Sequence, residues 1–229
     1  MESKKNSNNL KVIYEDNQII VVEKPVGIPS QQDKTGDLDM LTIVKKYIKE
    51  KYNKPGDVYL GLVHRLDRPT GGVMVFARTS KSASRLSEQI RNKEFNKKYL
   101  CIVDGKMEKN TGEMRDFILK TEKTNISKIV QEGTKNSKEA ILDYEVIKYN
   151  EEINMSLVKV NLHTGRHHQI RVQFASRGHS LSGDQKYGTR GRGKNLALWA
   201  YSLSFIHPVT KEKLSFECFP EKTGCWSWT

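Results

Sequence analysis

Cysteine is scarce in this chain, and no run of apolar residues is long. The 229 residues include three cysteines, Cys101, Cys218 and Cys225, without CxxC spacing. We therefore expect no disulfide framework and no four-cysteine zinc site, and a reducing cytoplasmic setting. The longest aliphatic run, Ile19 to Val22, is far shorter than the ~20 residues that span a bilayer. The N-terminal residues lack the apolar stretch of a secretory signal. The composition predicts a polar, foldable protein and excludes a membrane protein.

Positive charge is abundant and unevenly distributed. The formal net charge is +12. Residues 161–195 hold seven Lys or Arg against one acid, and residues 78–98 hold seven against two. These two basic windows carry nearly all of the excess, which is typical of a protein that binds a polyanion with regularly spaced phosphates. A generally basic, solvated surface is the alternative interpretation.

The spacing of apolar residues predicts an α+β fold with a mostly antiparallel or mixed sheet. We expect a disordered polar tail over residues 1–10 and a single domain over residues 11–229. The predicted helices cover residues 41–52, 80–92 and 167–177, the second capped by Ser80. A hairpin is predicted over residues 11–22, and further strands over residues 59–63, 73–77, 98–103, 117–119, 126–130, 142–146, 153–162, 196–206 and 213–219. The apolar parity of the strand over 153–162 changes near Val158, which indicates a bulge or burial on both faces.

The segment His64–Gly72 is a polar loop between two apolar strands, and Asp67 is its candidate catalytic residue. A carboxylate in such a loop is partly desolvated, which raises its pKa, whereas a nearby cation keeps it ionised. An ionised carboxylate without its full hydration acts as a nucleophile or a general base. The alternative is an aspartate that only organises the turn before Pro69.

The segment Thr164–Arg171 is the second candidate. Gly165 precedes a predicted helix, so we expect backbone N–H groups and Arg166 to meet a phosphate at the helix N-terminus. Arg171 lies about one turn further along among apolar residues, and a partly buried arginine needs an anion. A solvated helix face is the alternative. His163 and His167 are four residues apart, but Gly165 lies between them, and no HExxH motif or cysteine cluster supports a metal site.

Two further features favour nucleic acid. Tyr99 follows a basic helix at the start of a strand, where an aromatic ring among cations can stack on a base; a buried core tyrosine is the alternative. The stretch Gly188–Lys194 lacks the spacing of a phosphate loop, and its glycines and cations indicate a flexible basic loop.

Six motifs in order over about residues 12–220 closely resemble the RluA-type pseudouridine synthase family. His64–Gly72 resembles its HRLDxxTSG signature. The other five matching segments are Lys24–Gly27, Lys98–Leu100, Leu162–Arg171, Gly183–Gly188 and Leu203–Pro208. The chain departs from the pattern at Gly71, His167 and Trp199, none of which we assign to the chemistry. Many relatives carry an S4-type RNA-binding domain upstream, and we expect the 23 residues before Lys24 to be too few for one.

The resemblance implies the pseudouridine synthase fold with a central RNA-binding cleft, and isomerisation of selected uridines of rRNA or tRNA without cofactor or metal. It implies that Asp67 is the catalytic carboxylate, attacking C1′ or removing a ribose proton. Arg171 is then its ion-pair partner, Tyr99 packs on the uracil, and Arg65 fills the gap left by the flipped base. The predicted RNA-binding residues are Arg65, Arg68, Lys98, Arg166, His168, Lys186, Arg190, Arg192 and Lys194.

Two other function classes remain open on the sequence. A non-catalytic RNA-binding or ribosome-assembly protein would keep this fold, although the intact Asp67, Tyr99 and Arg171 argue against it. A base-releasing glycosidase would also need a carboxylate near C1′, and it would liberate free uracil. The expected partner is an RNA stem–loop, bound by a monomer away from membranes.

Overall fold

The computed structural model of the chain describes residues 10–121, 124–188 and 195–229, and these form two compact units. Unit 1 contains the described residues up to Phe95 together with Ser202–Cys218, and unit 2 contains Asn96–Tyr201 together with Phe219–Thr229. Residues 1–9, which make up nearly all of the predicted tail, lie outside the described part. In the described part, no helix combines the length and the apolar character needed to cross a membrane.

Strands outnumber helices in the described residues, as predicted. The helices are α1 (Met40–Lys51), α2 (Ser80–Arg91) and α3 (Gln169–Ala175), and a 3-10 turn covers Gly224–Trp226. The strands are β1 (Val12–Glu15), β2 (Ile19–Lys24), β3 (Gly61–Leu62), β4 (Gly71–Ala77), β5 (Asn96–Asp104), β6 (Thr111–Thr121), β7 (Ile126–Val130), β8 (Lys138–Asn150), β9 (Met155–Leu162), β10 (Leu198–Ile206) and β11 (Lys213–Glu217).

Unit 1 is built around β2 and β4, which pair antiparallel from Ile19 opposite Ala77 to Lys24 opposite Gly72. Strand β1 also pairs with β2, β3 with β4, and β11 with the unit 1 part of β10. Every residue of β4 is buried, and so is the aliphatic run of β2. The register brings the end of β2 beside the segment that leads into β4.

Unit 2 contains an antiparallel sheet in the order β5-β9-β8-β6-β7. Val172 of α3 packs with Ile118 and Ala140 in a buried cluster, against which Ile129 and Tyr187 also pack. The sheet therefore supports α3 and the segment around Tyr187 from one side.

The predicted irregularity near Val158 is present, but the extra residue lies on the neighbouring strand. The register between β8 and β9 shifts between Val146, opposite Val158, and Lys148, opposite Leu157. Ile147 is thus the residue without a counterpart, and 48% of its surface is exposed. A bulge on one strand accommodates a change of parity on its partner.

Several predicted boundaries were wrong for local reasons. Helix α2 is capped by Thr79, whose side chain accepts a hydrogen bond from Ser82 N, and not by Ser80. Helix α3 begins two residues later than predicted, because His168 has a left-handed backbone (φ 54°) that cannot continue a helix. The strand predicted over residues 59–63 is reduced to β3, and β4 begins two residues earlier than predicted, at Gly71.

Candidate active site

The loop that carries Asp67 is held from both sides within unit 1. On the side before Asp67, Ser30 Oγ donates to Leu66 O (2.7 Å) and accepts from Leu66 N (3.1 Å). On the side after it, Thr70 N donates to Asp67 O at 2.9 Å and closes a tight turn. Gly72 then enters β4 with φ 124°, a conformation that side chains disfavour. The carboxylate therefore projects from a loop whose backbone is fixed on either side.

Lys24 is the principal anchor of this loop. Its side chain is fully buried, and Nζ donates to Thr70 O (2.7 Å), Pro25 O (3.0 Å) and Arg68 O (3.1 Å). Burial lowers the pKa of Lys24 to about 7, and the charge of Asp67 acts in the opposite direction. A buried ammonium thus lies close enough to Asp67 for the two charges to interact. The resemblance assigns the charge partner of Asp67 to Arg171, and Lys24 is a further cation near Asp67 within unit 1.

The two arginines that flank Asp67 differ in their surroundings. Arg65 is exposed. Arg68 is bound to the segment of residues 27–37: Nε donates to Gly27 O at 3.0 Å, Nη1 donates to Thr35 at 3.2 Å, and the guanidinium forms an ion pair with Asp37. The hydrogen bond to Asp37, together with the charges of Asp37 and Asp33, raises the pKa of Arg68. Arg68 therefore ties the loop to a neighbouring segment, whereas Arg65 is open to a ligand.

Arg171 of α3 is buried in unit 2, where Asp184 binds it bidentately. Nε donates to Asp184 Oδ2 and Nη2 to Asp184 Oδ1, both at 2.7 Å, and the exposed fractions of the two side chains are 5% and 0%. Asp184 thus supplies an anion to the buried Arg171, whereas the ion pair of Arg171 with Asp67 that the resemblance implied stays a prediction. A two-point bond fixes the plane of the guanidinium as well as its position. Asp184 Oδ1 also accepts from Lys186 N at 2.9 Å and Tyr187 N at 3.2 Å.

Tyr187 connects this ion pair to His168. The Arg171 guanidinium lies over the Tyr187 ring, 5.2 Å from its centroid. The Tyr187 hydroxyl accepts from Ser127 N at 2.7 Å and lies 2.8 Å from His168 Nδ1. Burial, followed by the charge of Arg171, lowers the pKa of His168 to about 2, so its ring is neutral. The predicted RNA contact of His168 finds no support, because its ring is buried. The ring of His167, which stacks on that of His168, is half-buried and is the more accessible of the two.

The remaining predicted residues of unit 2 are distributed along β5 and two loops. Tyr99 is buried, whereas Lys98 and Lys186 are exposed. Arg166 is half-buried, and its Nε donates to Glu139 O at 2.7 Å. The predicted anion site at the N-terminus of α3 is not formed, since α3 has seven residues and begins beyond Arg166. The other three predicted RNA-binding residues lie outside the described residues: Arg190, Arg192 and Lys194.

Sequence reasoning assigned no role to Lys24, Asp184 or Tyr187, although all three lie in motifs that it singled out. One signal was available for Asp184, because it is the only acid among residues 161–195. A single carboxylate in a strongly basic window can pair with any of several cations. In the structure, Asp184 binds Arg171 bidentately. Lys24 carries a weaker signal, a lysine directly after a buried aliphatic strand.

The chain is similar to known proteins along most of its length. A family model described as RNA pseudouridylate synthase matches residues 18–176. An uncharacterized RNA pseudouridine synthase of Aquifex aeolicus is 36% identical over 234 residues, covering 96% of this chain and 72% of the relative. A tRNA pseudouridine synthase C of Haemophilus influenzae is 32% identical, covering 90% of this chain and 91% of the relative. A ribosomal large subunit pseudouridine synthase C of Buchnera aphidicola is 33% identical, covering 93% and 68%.

The fold is similar to that of solved structures. The human RNA pseudouridylate synthase domain containing 4 superposes with a TM-score of 0.77 at 24% identity, over 92% of this chain and 89% of that protein. The human RNA pseudouridylate synthase domain containing 1 superposes with a TM-score of 0.75 over 97% and 87%. The α+β fold that the resemblance implied is confirmed by these likenesses.

Proposed function

We propose, from the premise that the chain belongs to the RNA pseudouridylate synthase family, that it acts on uridines in a stem–loop of ribosomal or transfer RNA and that Asp67 is its catalytic carboxylate. The resemblance to RluA-type synthases that the motifs indicated is confirmed by the family match and the relatives. The chain is an isomerase acting on RNA. In the reaction, the N1–C1′ bond of uridine breaks, the uracil turns, and C5 joins C1′. C5 then loses its proton, and N1 takes up a proton.

The observation that carries the assignment of Asp67 is the anchored loop. Ser30 fixes Leu66, and Lys24 fixes the carbonyl groups of Arg68 and Thr70, so both neighbours of Asp67 are held by hydrogen bonds from buried side chains. A group that must reach one atom of the ribose gains from such preorganisation. Asp67 acts on the ribose, by attack at C1′ or by removal of a ribose proton.

Tyr99 and Arg171 take their roles from the resemblance. Tyr99 packs on the uracil, and its burial on β5 gives the ring a fixed orientation. Arg171 supplies the positive charge for the reaction. The bidentate bond to Asp184 supports this role, because it holds the guanidinium in one plane before substrate arrives.

The substrate uridine leaves its stack to react, which costs a few kcal/mol, and phosphate contacts offset this cost. The exposed cations Arg65, Lys98 and Lys186 are available for such contacts, and we assign the gap left by the flipped base to Arg65. Arg190, Arg192 and Lys194 belong to the same proposed set. Arg68 is assigned to the support of the loop instead, because it is paired with Asp37.

Turnover on RNAs of increasing size tests the proposed substrate. Release of tritium from uracil C5 is measured with a short uridine stem–loop, full-length tRNA, full-length ribosomal RNA and the assembled ribosomal particle. We expect turnover on the stem–loop comparable to that on the large RNA that contains it. Turnover on the large RNA or particle alone would overturn the stem–loop proposal. Free uracil would indicate a glycosidase, and binding without tritium release would indicate a non-catalytic protein.

The same proposal includes residues 11–229 acting as one catalytic domain, as a cytoplasmic monomer without metal or cofactor. The support is the resemblance, whose chemistry needs only the carboxylate and its charge partner. Tritium release is expected to be unchanged after treatment with a chelator and gel filtration. The rate of release per protein molecule is expected to be the same at all protein concentrations. A loss of activity that added Mg²⁺ or Zn²⁺ restores would contradict the metal-free part.

A further inference from the structure

Lys97 lies in unit 2 beside the turn that carries Gly165 and Arg166. Lys97 is at the start of β5 opposite Leu162, the last residue of β9, so the turn that follows β9 passes beside it. A methyl group placed on Gly165 in that turn would lie 3.2 Å from Lys97 Nζ. The Lys97 side chain is half-buried, and burial followed by the charge of Arg166 lowers its pKa. Two cations are thus held close together with reduced hydration.

Lys97 and Arg166 have no ion-pair partner in the part of the chain that the structure describes. Over residues 10–121, 124–188 and 195–229, no carboxylate lies within ion-pair distance of Lys97 or Arg166. The nearest candidate by sequence contact is Glu139, whose backbone O accepts from Arg166 Nε, but its carboxylate bonds to Arg115 Nη1 at 2.5 Å. Like charges at reduced hydration repel each other unless an anion is present. An anion bound beside both cations would relieve this repulsion.

The turn that carries Gly165 and Arg166 is rigid. Gln169 Oε1 accepts from Arg166 N at 3.0 Å and from Thr164 Oγ1 at 2.8 Å, and Gln169 Nε2 donates to Ile141 O at 3.1 Å. Gly165 is exposed and has no positive φ. Its backbone conformation therefore does not require glycine, and the missing side chain instead leaves room beside the Lys97 ammonium.

We infer that Lys97, Arg166 and the backbone of Gly165 form a binding site for one phosphate group of the substrate RNA backbone. Two cations beside an exposed glycine match the several acceptor oxygens of a phosphodiester. This inference rests on the proposed function, since it takes RNA as the substrate. It differs from the site predicted at the N-terminus of α3, because Lys97 and not the helix supplies the second charge.

Two variants separate the charge of the site from its shape. Lys97→Met removes one cation, and Gly165→Ala keeps the net charge but places a Cβ against Lys97 Nζ. Lys109→Met, an exposed lysine in the β5–β6 connection, is the matched control. Affinity for a radiolabelled uridine stem–loop, or for the full-length RNA if only that reacts, is measured by filter binding over a range of salt concentrations.

Lys97→Met is expected to weaken binding about three- to tenfold and to reduce the slope of log affinity against log salt by about 0.7–0.9, the value for one phosphate. Gly165→Ala is expected to weaken binding similarly, and Lys109→Met to match the wild type. Affinity and salt slope in Lys97→Met equal to those of Lys109→Met would overturn the site. Tritium release by the wild type tests the proposed function separately from these affinities.

A scan of the RNA backbone tests whether one phosphate binds at this site, even if Lys97→Met fails to fold. Single phosphates of the stem–loop are replaced by neutral methylphosphonates. For the wild type, we expect one position at which the replacement costs as much as Gly165→Ala. At that position, Gly165→Ala should show little additional loss, because the partner is already absent. Full additivity at every position would show that no phosphate binds at this site.

Discussion

Lys24 in unit 1 and Arg171 in unit 2 are both buried cations, but their partners are of opposite kinds. Lys24 donates to three neutral backbone carbonyl groups, those of Pro25, Arg68 and Thr70. Arg171 instead donates from Nε and Nη2 to the Asp184 carboxylate. Burial without a bonded carboxylate lowers the pKa of Lys24 to about 7. A guanidinium stays charged at any pH at which the protein is folded.

The difference teaches how each unit holds its reactive group. In unit 1 the anchor fixes a loop, so carbonyl acceptors suffice, and the ammonium is sensitive to pH near neutrality. In unit 2 the cation is itself the group to which we assign a role in the reaction. The Asp184 carboxylate fixes the plane of the Arg171 guanidinium, which stays positively charged. The two anchors should therefore respond differently when they are broken.

The largest loss of stability is expected from Asp184→Asn. The variant keeps an oxygen for Lys186 N and Tyr187 N but removes the carboxylate that binds the buried Arg171 bidentately, at a cost of roughly 3–5 kcal/mol. Equilibrium unfolding in urea measures this cost, with Asp143→Asn as the control at an exposed aspartate. Equal stability of the two variants would show that the buried ion pair contributes nothing.

A smaller loss is expected from Lys24→Met. The carbonyl groups of Arg68 and Thr70 lose their charged donor, which costs about 1–3 kcal/mol, while the removal of a desolvated charge offsets part of this. Because these carbonyl groups flank Asp67, tritium release should fall more than stability does. Lys45→Met, an exposed lysine on α1, provides the control. A variant with wild-type rate would contradict the anchoring role of Lys24.

The pH dependence of stability should differ between the two anchors. The pKa of Lys24 is about 7 in the folded chain against its ordinary value of 10.5. Between these values, the unfolded chain keeps a proton that the folded chain has released. Relative to Lys24→Met, the wild type should therefore gain stability as pH rises from 7 towards 10, by at most about 1.4 kcal/mol per pH unit. Below pH 7 the difference should be constant.

Urea unfolding of both proteins at matched pH values measures this difference, and Asp184→Asn should show no comparable trend against the wild type in the same window. A constant difference between the wild type and Lys24→Met from pH 7 to 10 would show that Lys24 keeps its ordinary pKa.

The smallest effect is expected from Tyr187→Phe. The variant removes the hydroxyl that contacts Ser127 N and His168 Nδ1. The expected loss of stability is about 1–2 kcal/mol, because a buried donor is left without its acceptor. The ring under the Arg171 guanidinium is retained, so activity should fall less than in Asp184→Asn. Thermal unfolding beside Tyr149→Phe, whose hydroxyl bonds to an exposed Asn154, measures the effect. A larger loss of stability in Tyr187→Phe than in Asp184→Asn would contradict the prediction that the Arg171–Asp184 ion pair contributes more than the Tyr187 hydroxyl.

Local patterns predicted the elements well, because periodicity and turn residues act over a few positions. The strand over residues 126–130 and helix α1 follow from such patterns. The bonds of Lys24 to Arg68 and Thr70, and of Arg171 to Asp184, do not follow from such patterns, because the acceptors lie in loops 13 to 46 residues away and the tertiary fold brings them together. The left-handed backbone of His168 was also beyond prediction, since Tyr187, nineteen residues later, holds its ring.

Asp67→Asn tests the central claim most directly. The amide is nearly isosteric, so the anchored loop and RNA binding should be retained, but it is neither a nucleophile nor a base. Tritium release from uracil C5 is measured at saturating RNA, with affinity measured in parallel. We expect wild-type affinity with a rate lower by at least about 10²–10⁴-fold, the range for loss of a catalytic acid or base. A rate within tenfold of the wild type would contradict the assignment of Asp67 as the catalytic carboxylate.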